Sequence, residues 1–192
     1  MAFLRKHRSS FAIYILVVVF LFSASQAQSK DSIRLYEQEI KAGLLYNFLK
    51  YTNWPSENLA SESNVMSLCI FGEDPFSGYL QPMEGRSVNQ RIIKIRNVNS
   101  LNALADCNML FVNSEEESSW PKLREYLSGK NILTVSDISG FTSYGGMIEF
   151  TRNDERVSIK LNQSAIKTTK LSVQDRLLKL ATVVSGNKEG GR

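Results

Sequence analysis

Four short apolar runs, Val65–Gly72, Arg91–Val98, Cys107–Val112 and Asn131–Ser136, recur through the middle of this chain. Turn residues bound each run, and each reads as a buried strand. Helical segments lie between them. A short helix runs through Phe76, Tyr79, Leu80 and Met83 after the Gly72-Glu73-Asp74-Pro75 turn, and a brief one covers Ser100–Ala105. The acidic stretch Ser114–Ser118 opens a third, Trp120–Leu127, which Gly129 ends. Parallel strands require crossover connections, so the alternation predicts an α/β fold: a three-layer sandwich with a mixed, mainly parallel sheet.

The antiparallel part comes later. Two alternating strands, Met147–Thr151 and Arg156–Leu161, are joined by residues 152–155 and preceded by Gly140 and the pair Gly145-Gly146. Glycine tolerates positive φ, so these positions read as a turn or bulge. The plain reading is a hairpin that closes the sheet; the other is a specially shaped loop at a recognition surface. Helices are expected on the sheet from both ends of the domain. Asp31–Tyr51 carries Ile33, Tyr36, Ile40, Leu44, Phe48 and Tyr51 at helical spacing, with Asp31 or Ser32 as cap and Pro55 as a stop. Tyr46, Phe48, Tyr51 and Trp54 form an aromatic group read first as core. Ser56–Asn64 is a polar loop. Gln163–Val184 reads as a final helix through Ile166, Leu171, Val173, Leu177, Leu178, Leu180 and Val183, followed by a tail over 186–192.

Residues 1–27 have the pattern of a secretory signal peptide. Arg5, Lys6 and Arg8 precede the apolar run Phe11–Phe22, and small residues lead to a cut after Ala27. That leaves a single domain over 28–185. Cleavage takes three bases and no acids from a chain with 23 Lys+Arg and 19 Asp+Glu, leaving 20 against 19. The basic balance is therefore largely a targeting feature and gives no support for nucleic-acid binding.

The one histidine, His7, lies in that leader. Without it, Ser-His-Asp and Cys-His catalysis and histidine metal sites are excluded from the exported domain. The two cysteines, Cys69 and Cys107, would meet an oxidising compartment, where a single disulfide is expected and two buried thiols are the alternative. A bond would require their strands to be neighbours. The carboxylate pairs Glu73/Asp74 and Glu115/Glu116/Glu117 read as solvated loops or helix starts. Gly72 lacks the companions of a phosphate cradle, and no serine sits in a nucleophile motif. No catalytic group, metal or cofactor is expected.

The ordered set of segments resembles the YfiR-like family of periplasmic proteins. It comprises the helix end Lys41–Pro55, Leu68–Gly72, Asp106–Val112, Leu133–Asp137 leading to Gly140-Phe141, Gly145–Ile148, Leu161-Asn162 and Leu171-Ser172 with Leu177–Ala181. The resemblance spans residues 31 to about 184. It implies a dimeric α/β regulator that binds the periplasmic sensor domain of an inner-membrane diguanylate cyclase and holds it inactive, lowering cyclic di-GMP signalling. Cys69 and Cys107 match the family's structural pair. A further pair found near the glycine hairpin in some members has no counterpart here, where Ile148 and Arg156 stand in that neighbourhood. The alternative is a periplasmic small-ligand binding module feeding another sensor or transporter, with a crevice at the strand C-termini or a pocket near Trp54. Gly145 and Gly146 are expected to set loop geometry. Trp54 and Phe141 are core residues on one reading and a dimer or partner surface on the other.

Overall fold

The computed structural model describes residues 33–55, 64–153 and 156–185. The expected leader, the tail and nearly all of the Ser56–Asn64 loop lie outside them, as do the proposed caps Asp31 and Ser32. Two compact units are distinguished, residues 1–37 and 38–192. Of the first, only residues 33–37 are described, and they are helical. The second holds the sheet and both cores.

The second unit opens with a helix over residues 38–51 (α1). Its buried positions are Gln38, Lys41, Ala42, Leu45, Phe48 and Leu49, a helical stripe. This stripe is rotated by about one residue from the expected one, of which only Phe48 is fully buried. Apolar residues alone misplaced it because two polar residues, Gln38 and Lys41, occupy the buried face.

The strands are β1 (Thr52–Asn53), β2 (Val65–Phe71), β3 (Ser87–Val88), β4 (Arg91–Val98), β5 (Met109–Val112), β6 (Leu133–Ser136), β7 (Ile148–Asn153), β8 (Arg156–Asn162), β9 (Ser172–Val173) and β10 (Thr182–Val184). Eight form one sheet in the order β10-β8-β7-β6-β5-β2-β4-β3, while β1 and β9 pair separately. The central block β4-β2-β5-β6-β7 is parallel. The margins run the other way: β3 is antiparallel to β4 and β8 to β7, and β10 follows β8 in parallel. The sheet is thus mixed, as expected, with its parallel character concentrated at the centre.

Alternation along the strands buries both faces. Met66, Leu68 and Ile70 of β2 join Met109, Phe111, Leu133, Val135, Ile148 and Phe150 in a first core under α1. Cys69 and Phe71 join Leu110 and Val112 in a second. The latter is covered by Trp120, Leu123 and Leu127 of a helix over Trp120–Leu127 (α2) and by Phe141. Burying a large apolar side chain contributes roughly 1.5–3 kcal/mol, so two filled faces account for a three-layer domain. Cys69 of β2 is bonded to Cys107, two residues before the adjacent strand β5, with Cα atoms 5.9 Å apart.

Three expected helices are altered. Residues from Phe76 to Met83 form turns ending in a 3-10 turn, Gln81–Met83, although Phe76, Leu80 and Met83 still enter the first core. Ser100–Ala105 narrows to a 3-10 turn, Leu101–Leu104. The long C-terminal helix does not form. In its place stand α3 (Gln163–Lys167), β9, α4 (Asp175–Leu180) and β10. Asn162 caps α3 by accepting from Ala165 N at 3.0 Å. Thr168 and Thr169 hydroxyls then donate to the carbonyls of Ala165 and Ile166, both at 2.7 Å, and close the helix. Such hydroxyl–backbone bonds compete with helix continuation. The β-branched run Thr182-Val183-Val184 favours a strand and pairs with β8.

Candidate interaction surface

The glycine-rich connection from β6 to β7, residues 137–147, is held from below by polar side chains on the second face of the sheet. Ser136 Oγ donates to Val112 O at 2.7 Å and accepts from Ile138 N at 2.9 Å. Thr134 Oγ1 accepts from Met147 N at 3.1 Å. Glu149 lies between Ile148 and Phe150, which face the first core, so alternation turns its carboxylate toward the loop. That carboxylate is 2% exposed. It accepts from Gly140 N at 3.1 Å, Thr142 N at 3.0 Å and Thr142 Oγ1 at 2.7 Å. Lys160, its register partner on β8, places Nζ at 3.7 Å. Several charge-assisted bonds on one buried group make a stiff clamp.

Other ties come from the flanks. Asn162 Nδ2 donates to Thr142 O at 2.8 Å. Trp120 Nε1 and Arg124 Nη1 both donate to Tyr144 O, at 3.1 and 3.3 Å. Asp137, at the loop's start, meets Lys41 of α1 at 3.1 Å and accepts from Ser114 N at 3.0 Å. Gly145 adopts φ +87°. A Cβ on Gly146 would fall 2.1 Å from the Phe141 ring, so only glycine lets the backbone pass that ring. The clamped loop presents Tyr144, 58% exposed, beside the exposed Arg124. Tyrosine and arginine are the residue types that anchor protein interfaces. A groove of about 650 Å³ runs alongside, lined by Trp120, Arg124, Gly145, Met147, Ala165 and Thr169.

Of the four residues weighed for a dimer or partner surface, three come together here: Phe141, Gly145 and Gly146. Phe141 is fully buried, its ring centroid 4.2 Å from that of Trp120. Its side chain therefore lies in the second core, and the exposed aromatic of this corner is Tyr144. Trp54 is elsewhere, in the first core, with Nε1 donating to Leu49 O at 3.4 Å. The tryptophan and the phenylalanine thus occupy opposite faces of the sheet and share no patch.

The crevice expected at the strand C-termini is filled beyond the ends of β2 and β5. Asn113 Nδ2 donates to Glu73 O at 2.8 Å, and its Oδ1 accepts from Glu115 N at 3.1 Å. The Glu116 side chain occupies the space that a Cβ on Gly72 would need. Neither of the two cavities described in the domain is lined by Trp54. Thr134, Ser136 and Asn162 lie in segments that carry the family resemblance, but no clamp role was read for them, nor for Thr142 and Glu149. The available signal was Glu149 itself, an acid between two apolar residues in an otherwise apolar strand start.

Comparison with known families identifies a match. The model of a family described as YfiR/HmsC-like covers residues 38–182, more than half of the chain and all of the sheet up to the first residue of β10.

Proposed function

We propose, on the premise that this chain belongs to the YfiR/HmsC-like family, that it is a periplasmic repressor of an inner-membrane diguanylate cyclase. It binds the cyclase's periplasmic sensor domain and, through higher affinity for the inactive state, lowers cyclic di-GMP output. The family match over residues 38–182 carries this reading, since the family is one of regulators rather than catalysts. The buried Cys69–Cys107 bond fits an oxidising compartment.

The contact surface in this reading is the clamped loop, with Tyr144 and Arg124 as anchors and Gly145 and Gly146 setting its shape. A loop already held in place loses little conformational entropy on docking. The protein acts as a homodimer and turns over no substrate. Deleting the gene should raise cyclic di-GMP in the host, and re-expression should restore it. A Y144A/R124E variant should still fold, with its thermal midpoint lowered by at most about a few degrees, because it loses one exposed hydrogen bond while Trp120 still donates to the residue-144 carbonyl. It should fail to restore low cyclic di-GMP and fail to capture the cyclase from solubilised envelopes. Unchanged cyclic di-GMP on deletion would overturn the cyclase assignment; full complementation by the variant would move the contact elsewhere.

A further inference from the structure

The second face of the sheet is incompletely covered. The connection from β4 to β5 contains only the short 3-10 turn Leu101–Leu104, and α2 shares its cluster with the C-terminal halves of β2 and β5. The start of β2 and the middle of β4 are left without a helix above them. A cavity of about 700 Å³ opens there, near the N-terminal ends of β2, β5 and β6. Its volume is that of a small-molecule site rather than a flat protein contact.

Its lining has a definite chemistry. Lys94 and Arg96 project from β4 on this face, and Lys130 comes from the turn before β6. Ser67, Asn108 and Asn131 add neutral polar groups, and Asp106 is the one acidic residue of the lining. The cations are only loosely engaged. Lys94 is 3.6 Å from Glu84 and Arg96 is 3.8 Å from Asp106, with side chains 55% and 40% exposed. Asp106 is itself 84% exposed, so it reaches toward solvent. Exposed pairs of this kind contribute little and yield readily to a competing anion. Lys130 lies 4.3 Å from the centroid of the Tyr126 ring, which positions its ammonium from one side. The floor is stiff. Ser67 N donates to Asn108 Oδ1 at 2.8 Å, and Asn108 N donates to Ser67 O at 3.0 Å. The Cys69–Cys107 bond ties β2 to the same segment that enters β5.

We propose that this cavity binds a small polyanion, a phosphate ester or a di- or tricarboxylate, through Lys94, Arg96 and Lys130. The site is separate from the glycine loop and does not depend on the identity of any protein partner. Titration calorimetry on the purified protein, at fixed ionic strength, tests it with inorganic pyrophosphate and with citrate as probes. At least one should bind saturably at one site per chain, and the tighter probe identifies the anion class. Arg96→Glu should weaken binding about tenfold or more, as expected for loss of a charge-assisted contact. Lys94→Gln, at an exposed position, provides the same test should Arg96→Glu fold poorly. Lys122→Glu, which changes the charge of α2 outside the cavity, should bind as wild type. Amide resonances of Ser67, Asn108 and Asn131 should shift with the probe. Absence of saturable binding by both anions, or equal binding by the Arg96 and Lys122 variants, would overturn the proposal.

Discussion

The two faces of the sheet are built differently. The first is a mainly apolar layer: α1, the turns around Phe76–Met83, and the C-terminal segments all press on apolar residues of seven strands. The second has an apolar centre under α2, but its flanks are polar. Thr134, Ser136 and Glu149 hold the glycine loop on one side, and Ser67, Lys94 and Arg96 line an open cavity on the other. A disulfide crosses this face. The first face depends on many interchangeable apolar contacts, whereas the second concentrates its stability in a few specific devices. Those devices leave surface free, which is why both candidate sites lie on that side.

Removing the strongest device should have the largest effect. Glu149→Ala would strip the acceptors from Gly140 N and both Thr142 donors and leave Lys160 without its nearest carboxylate. Losing three hydrogen bonds to a buried charged acceptor should cost about 3–5 kcal/mol, read by denaturant unfolding, while Lys160, 44% exposed, is left in solvent. A loss below about 1 kcal/mol, the size of one ordinary hydrogen bond, would show that the loop needs no clamp.

The disulfide comes next. C69A/C107A opens a loop with a sequence separation of 38 and should lower stability by about 2–4 kcal/mol. Both cysteines are almost wholly buried, so the native bond should also resist mild reductant until the protein is unfolded. Reduction at the same rate in native and denatured protein would contradict that.

The smallest effect sharpens the account of the first face, where α4 meets the end of α1. Arg176 Nη1 donates to the Tyr51 hydroxyl at 3.3 Å. That hydrogen bond leads in holding the phenol below its ordinary 10.0, opposed by desolvation and assisted by the charges of Lys50 and Arg176. A pKa lowered by folding means that the phenolate is favoured in the native state. Its contribution is complete above 10.0 and vanishes as pH falls through the lowered native value, leaving neutral stability untouched. Tyr51 ring resonances should therefore titrate early, and Arg176→Gln should move them toward the ordinary range. An unmoved titration would mean that α4 does not dock on α1 through this pair.

Much of this architecture was legible. The strand Arg91–Val98 and the helix Trp120–Leu127 have the boundaries expected, and β2 ends one residue before Gly72. In each, a burial pattern is written directly in the apolar residues. The C-terminal segment was not legible in this way. Ile166, Leu171 and Leu177 enter the first core, but from two separate short helices and the segment between them. A helical spacing of apolar residues does not report whether hydroxyl side chains interrupt the backbone between them. The glycine loop was recognised from Gly140, Gly145 and Gly146, whereas its clamp was not. Glu149 acquires its role only when Gly140 and Thr142 are folded above it.

The sequence by itself determined the alternation of buried strands and connections, the glycine positions the loop requires and the chemistry of the cysteine pair. These depend on residues near one another in the chain, where periodicity and backbone preference act. Tertiary structure decided which strands became neighbours, that Trp54 and Phe141 went to opposite faces, that the C-terminal run divided between helix and strand, and where a cavity was left open. Those outcomes depend on contacts between residues far apart in sequence, such as Thr52 with Val173 or Thr182 with Lys160, and no local pattern encodes them.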